Sequence, residues 1–330
     1  MRLRIEDLKG HLIDAHTHLG FSTSGLFSDK LPNCFDIVSL LSNLQAHGFS
    51  YAIVHPFPSY YCRQRPLNEE VGAHLRVAYE QVPYLLQNKR IVNENQEIAL
   101  GKLIVFPMFS MNYAIDEQIS FLEQAVLNGD IYGLKYYSDS DANEISQIAH
   151  KGKPFIDFAL KHNLPITFHT SEVATIAEHG LSNAMDVLNL ALEIPGLRVS
   201  IAHMAHFSRR VLLLAEKLSL PNLFFDLSPL LHLCNVRRLC TNDKMLSLDY
   251  STPKSVLRFA LNTFPCNVLW GSDMPFNFTC NLNNPAHTKT YKSFAYKANV
   301  DLLDDSDKQV LCNRNVIRYM FGGCDHENQD

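Results

Sequence analysis

The chain has 330 residues, 46% of them hydrophobic and 19% charged, with a net charge of −5. This is an ordinary balance for a soluble globular protein and leaves room for a large core. The negative charge argues against a nucleic-acid binder that works by neutralising phosphates.

No apolar stretch is long enough to span a bilayer, and the N-terminus, MRLRIEDLKGHLIDAHTHLG, has no apolar signal core. The expected location is the cytoplasm, and the expected partner is a small molecule, not a nucleic acid or a membrane. Eight cysteines are irregularly spaced with no Cys-x-x-Cys pair, so they read as free thiols. Cys62 and Cys280 fall in predicted loops.

Short apolar runs alternate with longer helical patterns along the chain. The runs at residues 12–15, 51–54, 103–106, 132–136, 166–168, 199–202, 223–225 and 268–270 read as strands buried on both faces. The patterns at 35–47, 68–88, 116–128, 154–162, 183–193, 209–218, 254–263 and 307–321 read as helices. Asp116 is placed to cap the third helix and Gly129 to stop it, while KHNLP and EIPGL close two others. Loops follow the second, seventh and eighth strands at 56–67, 228–253 and 274–305. Strict alternation predicts an α/β fold of the (β/α)8 TIM-barrel type, with residues 1–330 as one domain. No strand is followed by G-x-G-x-x-G, so a dinucleotide fold has no support.

Functional residues are expected at the strand ends. His16 and His18 form an H-x-H after the first apolar run, and residues two apart on a strand point the same way. With 15 histidines in 330 residues, chance supplies about 0.7 such pairs. Context raises this pair above chance, since Asp14 precedes it and Gly20 follows. His169 ends the fifth strand and His203 the sixth, with His206 in the loop beyond. Asp273 follows VLWGS, and Pro275 with no helical pattern nearby argues against a simple cap.

In a closed barrel the first and eighth strands are neighbours, and the fifth and sixth lie across the mouth. His16, His18, His169, His203 and Asp273 are therefore expected to gather around one cation. Imidazole and carboxylate donors suit zinc, and a position left open for water makes such a site catalytic.

These segments resemble the amidohydrolase superfamily of metal-dependent barrel enzymes, in particular its aminocarboxymuconate semialdehyde decarboxylase-like branch. The similarity runs from IDAHTHLG through GLKYY, ITFHT, SIAHMAH and WGSDMPF to RNVIRYMFG. It implies that His16, His18, His169 and Asp273 contact metal, and that His203 acts in catalysis or binds a second metal. It implies one Zn2+ ion or two, or another divalent transition metal. For Lys135, at the end of the fourth strand, it implies either a carbamylated bridge between two ions or a cation that binds substrate. One-metal relatives favour the second. Relatives also often pair, which makes a homodimer an option.

The expected reaction is hydrolysis of an amide, ester or lactone in a small polar molecule. Asp273 ligates the ion and takes the proton from its water, and His203 orients that water or stabilises the oxyanion. The alternative is a nonoxidative decarboxylase in which Arg63, Arg65 or Arg237 holds a carboxylate. A Lys135 imine or a noncatalytic barrel are further rivals. His55, after the second strand, is a candidate for substrate contact. Tyr60 and Tyr61 lie near that strand end, Trp270 reads as core, and Ser228 reads as a site hydroxyl or the start of a turn.

Overall fold

A computed structural model of the chain describes residues 3–21, 34–35, 37–56, 102–141, 143–170, 181–239, 243–275 and 293–323. The strands are β1 (Leu12–Phe21), β2 (Cys34–Phe35), β3 (Phe49–Pro56), β4 (Lys102–Val105), β5 (Leu134–Tyr136), β6 (Ile166–Phe168), β7 (Val199–Ile201), β8 (Leu223–Asp226) and β9 (Val268–Leu269). They form two sheets, ordered β2-β1-β3-β4 and β5-β6-β7-β8-β9. All pairs are parallel except β1 with β2.

Backbone hydrogen bonds join the sheets at two seams. At the first, Tyr132 N–H donates to Val105 O (3.2 Å) and Lys135 N–H to Pro107 O (2.8 Å). At the second, Ala15 N–H donates to Trp270 O (3.0 Å), Asp273 N–H to His16 O and His18 N–H to Met274 O (both 2.7 Å). The bridge pairs at these seams are parallel too. Eight strands thus close into the expected (β/α)8 barrel, with β2 a short antiparallel addition.

The helices are α1 (Ile5–Leu8), α2 (Ile37–Ala46), α3 (Ile115–Leu127), α4 (Ser138–Asp141), α5 (Lys153–His162), α6 (Ala184–Glu193), α7 (Arg209–Leu218), α8 (Leu230–Leu239), α9 (Pro253–Thr263), α10 (Ser293–Val300), α11 (Asp305–Gln309) and α12 (Asn315–Phe321). Alternation along each strand splits the core in two. Val54, Val105 and Phe225 pack with the helices, whereas Ile53, Ile104 and Phe224 join Ala15, Phe106 and Leu269 inside the barrel. Both faces are buried, which is why the strands read as continuous apolar runs. Helix α12 plugs one end with Val316, Tyr319 and Met320, and Tyr319 Oη lies 2.8 Å from Thr167 Oγ1. Gly133 admits the Phe106 ring to this interior, since a Cβ there would stand 2.3 Å from it. At the strands' C-terminal ends the interior turns polar.

Several expectations are corrected. Asp116 does not cap α3; the N-cap is Ala114, and Asp116 lies in the first turn, where a carboxylate complements the helix dipole. The fourth barrel strand begins at Leu134, not at 132. The spans 228–253 and 274–305 are not simple loops, because they contain α8 and α10. The last helix is interrupted by a π-helical turn, Val310–Arg314. Gly129 stops α3 with φ 70°, as expected. Trp270 is fully buried and stacks on Phe49. Cys234, Cys266 and Cys312 are free thiols. The helix expected at 68–88 lies outside the described residues, as do Tyr60, Tyr61, Cys62, Arg63, Arg65 and Cys280.

Candidate metal centre

The first and last barrel strands end side by side. Ala15 belongs to the inner core and His16 also points inward, a break in alternation made at the irregularity between Asp14 and Thr17. Close approach of β9 to β1 requires Gly271, where a Cβ would stand 2.5 Å from His16 Cβ. Two residues on, Asp273 adopts φ 53°. Asp14 ties the two chain segments together, its Oδ1 accepting from the N–H groups of Ser272 (2.9 Å) and His16 (3.3 Å). Burial pushes its carboxyl up to about 7.

His16, His18 and Asp273 each offer one donor atom to a group whose members lie within 4.8 Å of one another. His16 Nε2 is 3.3 Å from His18 Nε2. Asp273 Oδ1 is 3.2 Å from His18 Nε2 and 3.6 Å from His16 Nε2. The outer ring nitrogens decide which atoms carry protons. His16 Nδ1 donates to Asp226 Oδ2 (3.0 Å), and His18 Nδ1 donates to the Pro56 carbonyl (3.0 Å). A carboxylate and a carbonyl only accept, so in the neutral rings both Nε2 atoms are bare lone pairs.

Three acceptors facing one another repel unless a cation joins them. Two nitrogens bound at about 2.1 Å with a tetrahedral angle stand about 3.4 Å apart, and the three separations of 3.2, 3.3 and 3.6 Å bracket that value. The residues fit a divalent ion.

His169 and His203 form a pair beside this group and fall outside it. His203 Nε2 is 3.2 Å from His169 Nδ1, and His203 Nδ1 donates to the Ser228 carbonyl at 2.5 Å. With His203 neutral, His169 Nδ1 is the donor and its Nε2 is bare. The His169 ring stacks on Tyr137 (centroids 4.0 Å apart) and that of His203 on His16 (5.4 Å). His203 opens a left-handed run through Phe207, with φ between 50° and 61°. Such backbone costs about 1–2 kcal/mol per residue, and buried Met204, Ala205 and Phe207 hold it in place. His206 is turned to Thr170 O (3.0 Å).

Lys135 is buried, with Nζ 3.3 Å from His16 Nε2. Burial pushes its ammonium down to about 8, against the pull of Asp226 and Asp273. Burial, then Lys135, depresses His16; burial, then His203 and Lys135, depresses His169. Burial raises Asp273, but contact with His18 and the neighbouring rings of His203, His16 and His18, whenever these carry an extra proton, outweighs it and holds the carboxyl below its usual range.

Asp226 is a site residue the sequence reading missed. Besides His16, it accepts from the His203 and Ser228 N–H groups (3.2 and 3.1 Å) and from the Ser228 hydroxyl. Ser228 therefore braces Asp226 and does not offer a free hydroxyl. Arg237 is buried and donates to Met245 Sδ (3.2 Å). It lines a cavity of about 840 Å³ with His206, Arg209 and Lys244.

A family model described as amidohydrolase matches residues 97–315, well over half of the chain. The chain belongs to the amidohydrolase family. No curated protein matches it. Among solved structures, this amidohydrolase is similar to a candidate 2-pyrone-4,6-dicarboxylic acid hydrolase from Pseudomonas putida. The two are 18% identical, with a TM-score of 0.57 over 94% of this chain and 97% of the other. It is similar to 2,6-dihydroxybenzoate decarboxylase from Rhizobium (12% identical, TM-score 0.60, 94% and 98% covered). It is also similar to 5-carboxyvanillate decarboxylase from Novosphingobium aromaticivorans (10% identical, TM-score 0.59, 97% and 99% covered), which was crystallised with bound manganese. These likenesses show that the amidohydrolase has the TIM-barrel fold.

Proposed function

We propose that this amidohydrolase is a metal-dependent hydrolase that cleaves an amide, ester or lactone bond in a small polar molecule. His16, His18, His169 and Asp273 hold zinc or another divalent transition ion, with His203 beside them. The observation that carries this reading is the convergence of two bare imidazole nitrogens and one carboxylate oxygen within 3.2–3.6 Å. A bound divalent cation supplies Lewis acidity, lowering the pKa of a water from 15.7 to about 7. Asp273 stays charged at neutral pH and accepts the proton of the attacking water. His203, beside the centre, orients that water or stabilises the developing oxyanion. Lys135 stays a cation and binds substrate if one ion is present, or bridges as a carbamate if there are two. The reading also places the enzyme in the cytoplasm, with a homodimer as an option.

The two decarboxylases among the structural neighbours favour a second reading, nonoxidative decarboxylation of a small carboxylic acid. In this reading a carboxylate would be held by Arg63, Arg65 or Arg237, of which Arg237 is among the described residues, buried beside a cavity lined by other cations.

Metal analysis of the purified protein tests the shared core of both readings. The parent should carry one equivalent, and His16→Ala and Asp273→Ala should lose it; a metal-free parent would end both readings. Two equivalents would make Lys135 a bridge. Product analysis then separates the reactions, since carbon dioxide release decides for decarboxylation.

A further inference from the structure

His55, next to last in β3, stands level with His18. Its ring is fully buried. It stands edge-on to His16, with centroids 4.8 Å apart and planes at 80°. It lies 5.7 Å from the His18 ring and rests on Phe106 below (5.8 Å). Neither ring nitrogen has a hydrogen-bond partner, and both are shut off from bulk water.

Among the described residues, no other imidazole of this layer is left so. His16 is anchored by Asp226, His18 by Pro56, His203 by Ser228 and His169 by His203. A buried donor or acceptor without a partner destabilises a fold, and His55 carries one of each. A leucine would continue the apolar face of Ile53 and Phe106 without that cost. Packing therefore does not account for an imidazole here.

His55 does not join the group of donor atoms formed by His16, His18 and Asp273. Its ring stands next to theirs and carries one N–H and one lone pair. Water is the species that suits either nitrogen, since its oxygen accepts and its O–H donates. A carboxylate would leave the lone pair bare, and a cation would leave the N–H bare.

We propose that His55 is a catalytic residue that hydrogen-bonds the attacking water at the His16–His18–Asp273 centre. The proposal rests on the hydrolytic reading above. The imidazole helps to fix where that water sits beside His16 and His18, and its N–H, donating to the oxygen, favours the deprotonated water over the neutral one. Outside the loaded site the ring is a net cost to the fold, which the site repays in positioning.

The test uses the full chain with Co2+ as the only added ligand, in the parent, His55→Leu and His55→Gln. Cobalt content is measured first, then the visible absorption is titrated against pH with no organic molecule present. All three proteins should bind equal cobalt. The spectral midpoint should move up by about one pH unit in His55→Leu, the tenfold change expected for one lost hydrogen bond. His55→Gln, whose amide also donates and accepts, should restore part of it. Metal-free His55→Leu should melt above the parent, because it removes two unpartnered groups. An unchanged midpoint in His55→Leu would overturn the proposal, and so would cobalt loss, which would make His55 a ligand. A parent that binds no cobalt would instead remove the metal-centre reading itself, and this proposal with it.

Discussion

Asp226 touches the His16–His18–Asp273 group through His16 Nδ1 and decides which nitrogen of that ring is bare. Partners of this kind typically contribute 10–100-fold to metal affinity. Asp226→Asn should weaken divalent-ion binding by about that factor in competition with a chromophoric chelator; unchanged affinity would mean that His16 is oriented by something else. The sequence hid this residue because it closes the apolar run LFFD, where only strand register reveals an inward side chain. His16, His18 and Asp273 were legible, since each follows a run whose end had to reach the mouth. The left-handed run from His203 to Phe207 was not, because AHMAHF contains no glycine to announce it. Thiol chemistry gives a second residue-scale test. Burial pushes Cys234 up to about 12 and Cys312 well above its usual value, whereas Cys266 is exposed. Mass-spectrometric mapping after brief iodoacetamide treatment near pH 8 should find Cys266 modified and Cys234 and Cys312 intact. Early labelling of either buried thiol would contradict the described packing.

Neighbouring elements are tied by two polar devices of different strength. Glu123 of α3 accepts from Lys161 Nζ (2.7 Å) and His162 Nε2 (2.8 Å) of α5. The Lys161 hydrogen bond, against a small desolvation cost, holds the Glu123 carboxyl below its usual range. A depressed carboxyl contributes stability above its unfolded value of 4.5, and that stability is lost as pH falls through the folded value. Lys161 is 64% exposed, so the contribution is small, below about 1 kcal/mol. Urea denaturation should show Glu123→Gln slightly less stable than the parent at pH 7 and indistinguishable from it below the carboxylate range. Asp141 of α4 is a stronger tie. It is buried and accepts from Ser110 Oγ (2.5 Å), Met111 N–H (2.9 Å), Tyr136 Oη (2.9 Å) and Asn143 Nδ2 (3.1 Å). Asp141→Asn turns an acceptor into a donor facing donors, and should cost about 2–4 kcal/mol in the same assay; a cost near zero would show the hub to be dispensable. Neither device was legible, since each joins residues whose nearness only the fold creates. The strands were legible because burial on both faces leaves unbroken apolar runs. Helix α8 was missed although Leu230, Leu233, Cys234 and Arg237 repeat at helical spacing, because a second helix between β8 and α9 breaks strict alternation.

At the scale of the whole molecule, the barrel exists because two seams close. The candidate centre straddles one of them, where β1 and the end of β9 exchange bonds through Ala15, His16 and His18. Closure brings residues 16 and 273 to within 3.6 Å. Sequence alternation forecast the closed barrel, but it could not forecast that Gly271 is the position that lets the two strand ends meet. Gly271→Ala should therefore cost metal binding along with stability, because its methyl group would meet His16 Cβ. The most direct test of the shared cation is X-ray diffraction from metal-loaded crystals at the ion's absorption edge. The prediction is an anomalous peak at about 2.1 Å from His16 Nε2, His18 Nε2 and an oxygen of Asp273. A peak elsewhere, or none with these three side chains ordered, would contradict it.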